Sequence, residues 1–395
     1  MFRNLFWLTL GAFAIGTESF VVSGLLPSLS ADLGVSLWRA GQLVTAFSLT
    51  YAVATPLLAV TTAAWPRERV LRVAMGAFAL ANVAAAAAPT YGWLVAGRIL
   101  LAACAGLFMA TAGGYAASSV KPEQRGRAMA LVYLGLTVAT VVGVPLGTLV
   151  GHLFGWRATF LGVAALSAVA WVGLCLPRTP QPLQAVVSLK ERIAIARRPD
   201  ILLGLLTTTT CMAGVFAIYT YLSPLLAQVS GYGDTQVALV LMLFGVGSAI
   251  GNLWGGHAAD ALGPVRVVRR ALRGVIALFC LVSVIAMWVP QPVATFAMLA
   301  VIAGWGVVGW SFPPAQQLNL VRSAPTLAPV VLSLNSSAIY LGVSVGAVLG
   351  SFAVASGHIE RVGFVGAACE AVALLLVSLA ARRRTVAVRP LADAA

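Results

Sequence analysis

The chain has 395 residues, 60% of them hydrophobic and only 9% charged, with a formal charge of +14. Soluble domains carry about a quarter charged residues, so a large soluble domain is excluded and the composition is that of an integral membrane protein. The basic residues sit in short segments between apolar stretches rather than on one soluble face, which argues against nucleic acid as a partner. After Met1-Phe2-Arg3-Asn4 the chain enters an apolar stretch at once. Glu18 interrupts that stretch and many more follow, so it reads as an uncleaved first helix and not a signal peptide.

Taken in order, twelve spans can be drawn, at 5–26, 39–62, 73–89, 92–118, 128–151, 158–177, 200–222, 236–257, 272–289, 293–316, 329–352 and 362–381. Each is near the length that crosses the hydrocarbon with some tilt. The fold class is therefore all-α membrane protein, twelve helices as two six-helix repeats. If the N-terminus is cytoplasmic, every Lys and Arg falls on the inner side except Arg39, Arg157 and Arg361, with Arg98 inside a span. That asymmetry puts both termini in the cytoplasm and requires an even number of spans.

The first span carries Glu18 and the fourth carries Arg98. At a rise of 1.5 Å per residue they lie roughly 12 Å and roughly 9 Å below the outer ends of their helices. An intramembrane charge costs at least about 2.5–3.5 kcal/mol, so it faces a cavity or a partner. Glu18 can hold or release a proton where burial favours the neutral form, whereas Arg98 stays charged. Together they form a candidate proton-coupling pair; the open alternative is a fixed ion pair that only orders the helices.

In the fifth span, Gly143, Gly147 and Gly151 recur at four-residue spacing and make one bare helix face. A neighbouring helix can approach backbone to backbone there. Pro145 lies within the stripe and lacks the donor for the preceding turn, so the helix is expected to bend. The stretch is either a moving seam between helices or static packing.

A basic, proline-containing segment, 178–199, divides the chain into 1–177 and 200–395, with a short amphipathic helix expected at Leu189–Ala196 on the membrane surface. The two halves repeat: the glycine triplet recurs as Gly342, Gly346 and Gly350, with Ser344 in place of the proline. Two six-span halves in parallel repeat are a secondary-transporter architecture. Between spans 8 and 9, the segment from Gly251 to Arg266 reads as a glycine-containing loop. Gly256, Asp260, Gly263 and Arg266 are its candidate cytoplasmic gate, with Asp260 capping a helix or pairing with Arg266, or else forming a plain capped turn. Tyr219, Tyr221, Asn252, Trp305, Trp310, Asn335 and Tyr340 are candidates to line a substrate cavity, while the run Thr207–Thr210 is expected to bond back to its own helix. Glu370 lies in the last span, a helix that can face lipid; it reads more readily as a non-coupling residue, protonated or snorkelling, than as a coupling one, and its role stays open. No phosphate-binding loop or His-Glu-x-x-His is present, and the three histidines and five cysteines are isolated, so no enzyme chemistry, metal or organic cofactor is expected.

These residues resemble the major facilitator superfamily, and within it the twelve-helix drug:proton antiporter branch of bacterial exporters, of the sugar-efflux and chloramphenicol-resistance type. The likeness covers nearly the whole chain. Gly16-Thr-Glu18 through Gly24-Leu-Leu-Pro27 is similar to the branch's first-helix motif, and Gly97-Arg98 through Gly106 to the helix-4 motif whose arginine is implicated in proton coupling. Gly143-Val-Pro145-Leu-Gly147 resembles its antiporter motif, and 251–266 the superfamily's loop signature. The segment Thr61 to Arg69 departs from that signature: it keeps the basic end and lacks the glycine and aspartate. The resemblance implies a monomeric bacterial inner-membrane antiporter. Its partners are a small apolar substrate such as a drug, or a sugar, together with protons and the bilayer. The proton gradient supplies the energy in place of a cofactor. Proton-driven uptake remains the alternative; a membrane sensor would need an output domain for which these loops leave little room.

Overall fold

The computed structural model describes residues 2–121, 124–176 and 188–392. Residues 178–187 of the connecting segment lie outside the described residues, as do the side chains of Arg3, Arg382, Arg383, Arg384 and Arg389. Twelve described helices are long and apolar enough to cross a membrane. They are α1 (Leu5–Asp32), α2 (Leu37–Thr61), α3 (Arg67–Ala86), α4 (Tyr91–Ser118), α5 (Arg125–Phe154), α6 (Trp156–Cys175), α7 (Pro199–Tyr219), α8 (Thr235–Leu262), α9 (Pro264–Trp288), α10 (Val293–Ser323), α11 (Pro325–Ala355) and α12 (Ile359–Ala381). They match the expected spans one for one. The ends differ because hydropathy registers lipid exposure, whereas a helix continues until its backbone is capped or turned. Thus α1 runs on through Pro27 to Asp32, and α8 runs to Leu262.

Two spans are interrupted. After Tyr219 the helix breaks at Thr220–Tyr221 and resumes over Leu222–Ser230. Pro224 lies in the first turn of that piece, where a missing N–H costs nothing. In α10 the break is at Ser311, between Val293–Trp310 and Phe312–Ser323, with Pro313 and Pro314 in the new first turn.

By contact, the chain forms two compact units: Met1–Leu189 with Tyr219–Gly245, and Lys190–Ile218 with Val246–Ala395. In the first, the glycine face of α5 packs on α1. A Cβ on Gly147 would stand 2.8 Å from Val21 Cγ2, and those on Gly143 and Gly151 would run into the side chains of Thr17 and Leu25. Val21 and Leu25 follow Thr17 at four-residue spacing, so two helix faces match along their length. In the second unit, α11 repeats this contact on α7: a Cβ on Gly342 would lie 2.6 Å from Met212 Cβ, and one on Gly346 3.0 Å from Ala213 Cα.

The expected disruption at Pro145 takes the form of one π turn, Ala139–Gly143, inside α5. The Val144 N–H reaches back five residues to the Ala139 carbonyl. A Cβ on Gly245 would meet the backbone of that turn, 2.6 Å from the Thr140 carbonyl oxygen.

The short helix Leu189–Ala196 forms as expected. It is anchored on protein: Ile195 and Ala196 pack on the core cluster of Ile201, Leu205, Leu320 and Val331, and Arg192 donates to Ser333 Oγ at 3.0 Å.

Candidate functional site

The first unit holds a buried ion pair. Thr90 caps the start of α4 by accepting from the Trp93 N–H at 3.3 Å, and two turns later Arg98 points inward. Its Nη1 donates to Glu18 Oε1 on α1 and, at 3.4 Å, to the Glu18 carbonyl. Its Nε donates to the Leu43 carbonyl at 3.3 Å. The Phe47 ring, one turn along α2, lies 4.2 Å from the guanidinium carbon. Both charged side chains are 0% exposed. Glu18 Oε2 has no hydrogen-bond partner. Three helices thus converge on one arginine, while one carboxylate oxygen, Oε2, is buried without a hydrogen-bond partner. Protonation there would remove the negative charge and loosen the hold on Arg98.

The residues expected to line a cavity fall in both units. Tyr219 and Tyr221 belong to the first, Asn252, Trp305, Trp310, Asn335 and Tyr340 to the second. Tyr219 stacks near Phe244, with ring centroids 5.4 Å apart, and Tyr221 fills the space left by Gly41. Trp305 meets Phe279 edge to face at 5.2 Å. Asn335 Oδ1 accepts from Thr208 at 2.8 Å. Tyr219, Tyr221, Trp305 and Asn335 are buried core residues in this conformation. Asn252, Trp310 and Tyr340 are half-buried.

The segment from Gly251 to Leu262 is helix and not loop. Its glycines, with Gly247, form a stripe on α10: Cβ atoms on Gly247, Gly251 and Gly255 would stand 3.0 Å from Ala303 O, 2.8 Å from Val307 C and 2.6 Å from Ser311 Cα. Gly256 has open space where a side chain would go. The turn is Gly263 alone, at φ +88°, a conformation that L side chains avoid. Asp260 is exposed near the end of α8; it neither caps α9, whose N-cap is Gly263 with no side-chain hydrogen bond, nor pairs with Arg266. The helix continues through Asp260, so the aspartate precedes the cap position by three residues.

Two polar clusters were not anticipated. Asp32 Oδ2 accepts from Arg157 at 2.6 Å and from the Trp156 indole at 3.0 Å, while Arg157 also donates to the Ala88 carbonyl at 3.1 Å; this ties the ends of α1, α3 and α6. In the second unit, Gln316 donates to the Gly204 carbonyl at 2.8 Å and accepts from Asn319 at 3.3 Å, beside the Thr208–Asn335 bond. The signal for it was two amides just after Pro313-Pro314 within an apolar run. Thr207 and Thr210 do bond back within α7, at 2.7 and 2.8 Å, but Thr209 reaches across to the Ala338 carbonyl at 3.2 Å. Glu370 does not face lipid: it is 0% exposed and packed on Gly214 of α7.

Comparison with known proteins extends this picture. The sequence profile described as Major Facilitator Superfamily matches residues 8–347. The inner membrane transport protein YdhP of Escherichia coli (strain K12) is 33% identical over 378 residues, covering 95% of each chain. A chloramphenicol resistance protein of Streptomyces lividans is 33% identical over 354 residues, covering 87% of this chain and 86% of its own. Among solved structures, a D-xylose–proton symporter superposes with a TM-score of 0.78 at 17% identity, over 95% of this chain and 97% of its own.

Proposed function

The chain belongs to the major facilitator superfamily, and on that premise we propose that this multi-pass membrane transporter is a proton-coupled exporter of small, mostly apolar molecules, drugs among them. The observation that carries the reading is the buried Glu18–Arg98 pair with its open carboxylate oxygen. When a proton binds Oε2, the pair changes from two opposed charges to one uncompensated cation. Breaking a buried pair is worth about 3–5 kcal/mol, enough to bias a two-state equilibrium strongly. Arg98 then keeps the Glu18 and Leu43 backbone carbonyls and the Phe47 ring among the partners named above. Loading and release of one proton would thereby favour different access states. Similarity over most of the chain to a protein named for chloramphenicol resistance supports efflux over uptake.

We place the exporter in the bacterial inner membrane with both termini cytoplasmic. The six-helix halves 1–177 and 200–395 would alternate access as a monomer, with Asp260 and Arg266 at the cytoplasmic gate. The test is expression in a susceptible bacterial host stripped of its own exporters, challenged with a panel of apolar drugs led by chloramphenicol. Wild type should lower susceptibility to at least one drug, and Glu18→Gln should not. Unchanged susceptibility across the panel, with no drug-dependent proton movement in vesicles, would overturn the proposal.

A further inference from the structure

Glu370 takes no part in the Glu18–Arg98 pair, and its surroundings are unlike those of Glu18. It is 0% exposed, and among the described residues its carboxylate oxygens have no hydrogen-bond partner beyond the weak Cys211 thiol. It sits where α12 crosses α7 at close range. A Cβ on Gly214 would lie 2.7 Å from the Gly366 carbonyl oxygen, and one on Gly366 would lie 2.9 Å from the Gly214 carbonyl oxygen. Glu370 follows Gly366 by one turn on the same face, with Oε1 2.9 Å and Cγ 3.1 Å from the Cβ position of Gly214. The titratable groups that bear on it are thiols: Cys211 on α7, a weak donor, and Cys369 beside it on α12. From α9 the crossing receives Phe279 and Ser283, which pack at Gly363 and Gly366, and Ser283 Oγ accepts from the Phe364 N–H at 3.1 Å. No Lys, Arg or His of α7, α9, α11 or α12 reaches the carboxyl among the described residues.

A fully buried carboxylate anion with no cation beside it and only the weak Cys211 thiol as donor is too costly to keep in such a place. The neutral acid fits it. The bare backbones of Gly214 and Gly366 bring the two helices into close contact at this carboxyl. We propose that Glu370 is a second proton-binding site, whose proton keeps the α7–α12 crossing closed and whose release opens that crossing to water. On release the carboxyl O–H bond breaks, the proton passes to the entering water, and the anion stays behind solvated. The same water would reach Cys211, three residues before Gly214. This goes beyond the coupling proposed for Glu18, and it needs neither a transported substrate nor a direction of transport.

The experiment uses purified full-length protein in lipid nanodiscs. Infrared difference spectra are recorded between about pH 6 and about pH 9, a range that a strongly buried carboxyl can titrate across. The Glu18→Gln variant removes the other buried carboxyl. Its spectrum should show an acid C=O band that disappears reversibly as pH rises, with a carboxylate band growing in its place. Both should be missing from Glu18→Gln/Glu370→Gln. In a variant keeping Cys211 as its only cysteine, maleimide labelling at the high pH should be several-fold faster with Glu370 than with Glu370→Gln, which cannot ionise. A Glu370 acid band that does not change over this range, or one absent throughout, would overturn the proposal. So would equal labelling of Cys211 in two variants that melt alike. Loss of drug export with these signals intact would instead count against the exporter reading alone.

Discussion

Arg98 is held by one carboxylate oxygen, two backbone carbonyls and the face of Phe47. Each of these contacts can be tested singly. Glu18→Gln keeps the shape, strands the arginine and should cost about 3–5 kcal/mol of stability. That loss alone could also stop export, so the informative variant is the exchange Glu18→Arg/Arg98→Glu. If the pair is only structural, the exchange restores both melting temperature and transport. If Glu18 carries the proton, stability returns while proton-driven export stays lost. The pairing of these residues was legible in the sequence, because helical rise alone puts them at similar depth. The burial of Glu370 was not, because hydropathy says that α12 is apolar but not which of its faces meets α7. Asp260 makes the opposite case. It is exposed and outside any cap or ion pair, so Asp260→Asn should leave thermal stability within about 0.5 kcal/mol. Reduced transport at unchanged stability would support a gating role, and unchanged transport would end it.

At the scale of helices, small residues decide which elements touch. The α5 stripe meets α1, the α11 stripe meets α7, and the α8 stripe meets α10. Gly147→Leu pushes a side chain toward Val21 and Thr159 and should cost about 1–3 kcal/mol, read as a fall in melting temperature. Pro145 lies just past the π turn, separated from it by Val144 alone. Pro145→Ala restores an N–H and lets the turn relax toward ordinary helix. If the π turn is part of a moving seam, this variant should melt at or above the wild-type temperature yet turn over slowly. Full transport by Pro145→Ala at wild-type stability would leave the stripe as packing. At Gly263, φ +88° makes any side chain strained, so Gly263→Ala should lose about 1–3 kcal/mol. The number and order of the spans were readable from apolar length. The breaks at Thr220–Tyr221 and Ser311 were not drawn, although Pro224 and Pro313-Pro314 mark them. A proline placed in a new first turn keeps the apolar run unbroken, so a hydropathy window passes over it.

At the scale of the whole chain, the internal repeat is expressed as packing. Gly143 on Thr17 and Gly342 on Met212 are glycine-face contacts of corresponding helices, made half a chain apart. Chemistry does not follow the repeat. The arginine-paired carboxyl belongs to one compact unit and Glu370, which has no cation beside it, to the other. This is the kind of divergence a transporter needs if one half couples protons differently from the other. The central claim is that a proton moving inward through Glu18 drives a small apolar molecule outward. It is tested most directly in inside-out vesicles that carry the protein and are acidified within, with labelled chloramphenicol and the other drugs of the panel supplied outside. Wild type should concentrate at least one drug inside, and a protonophore or Glu18→Gln should abolish that accumulation. Accumulation that persists without the pH gradient, or that occurs only in right-side-out vesicles, would contradict the claim.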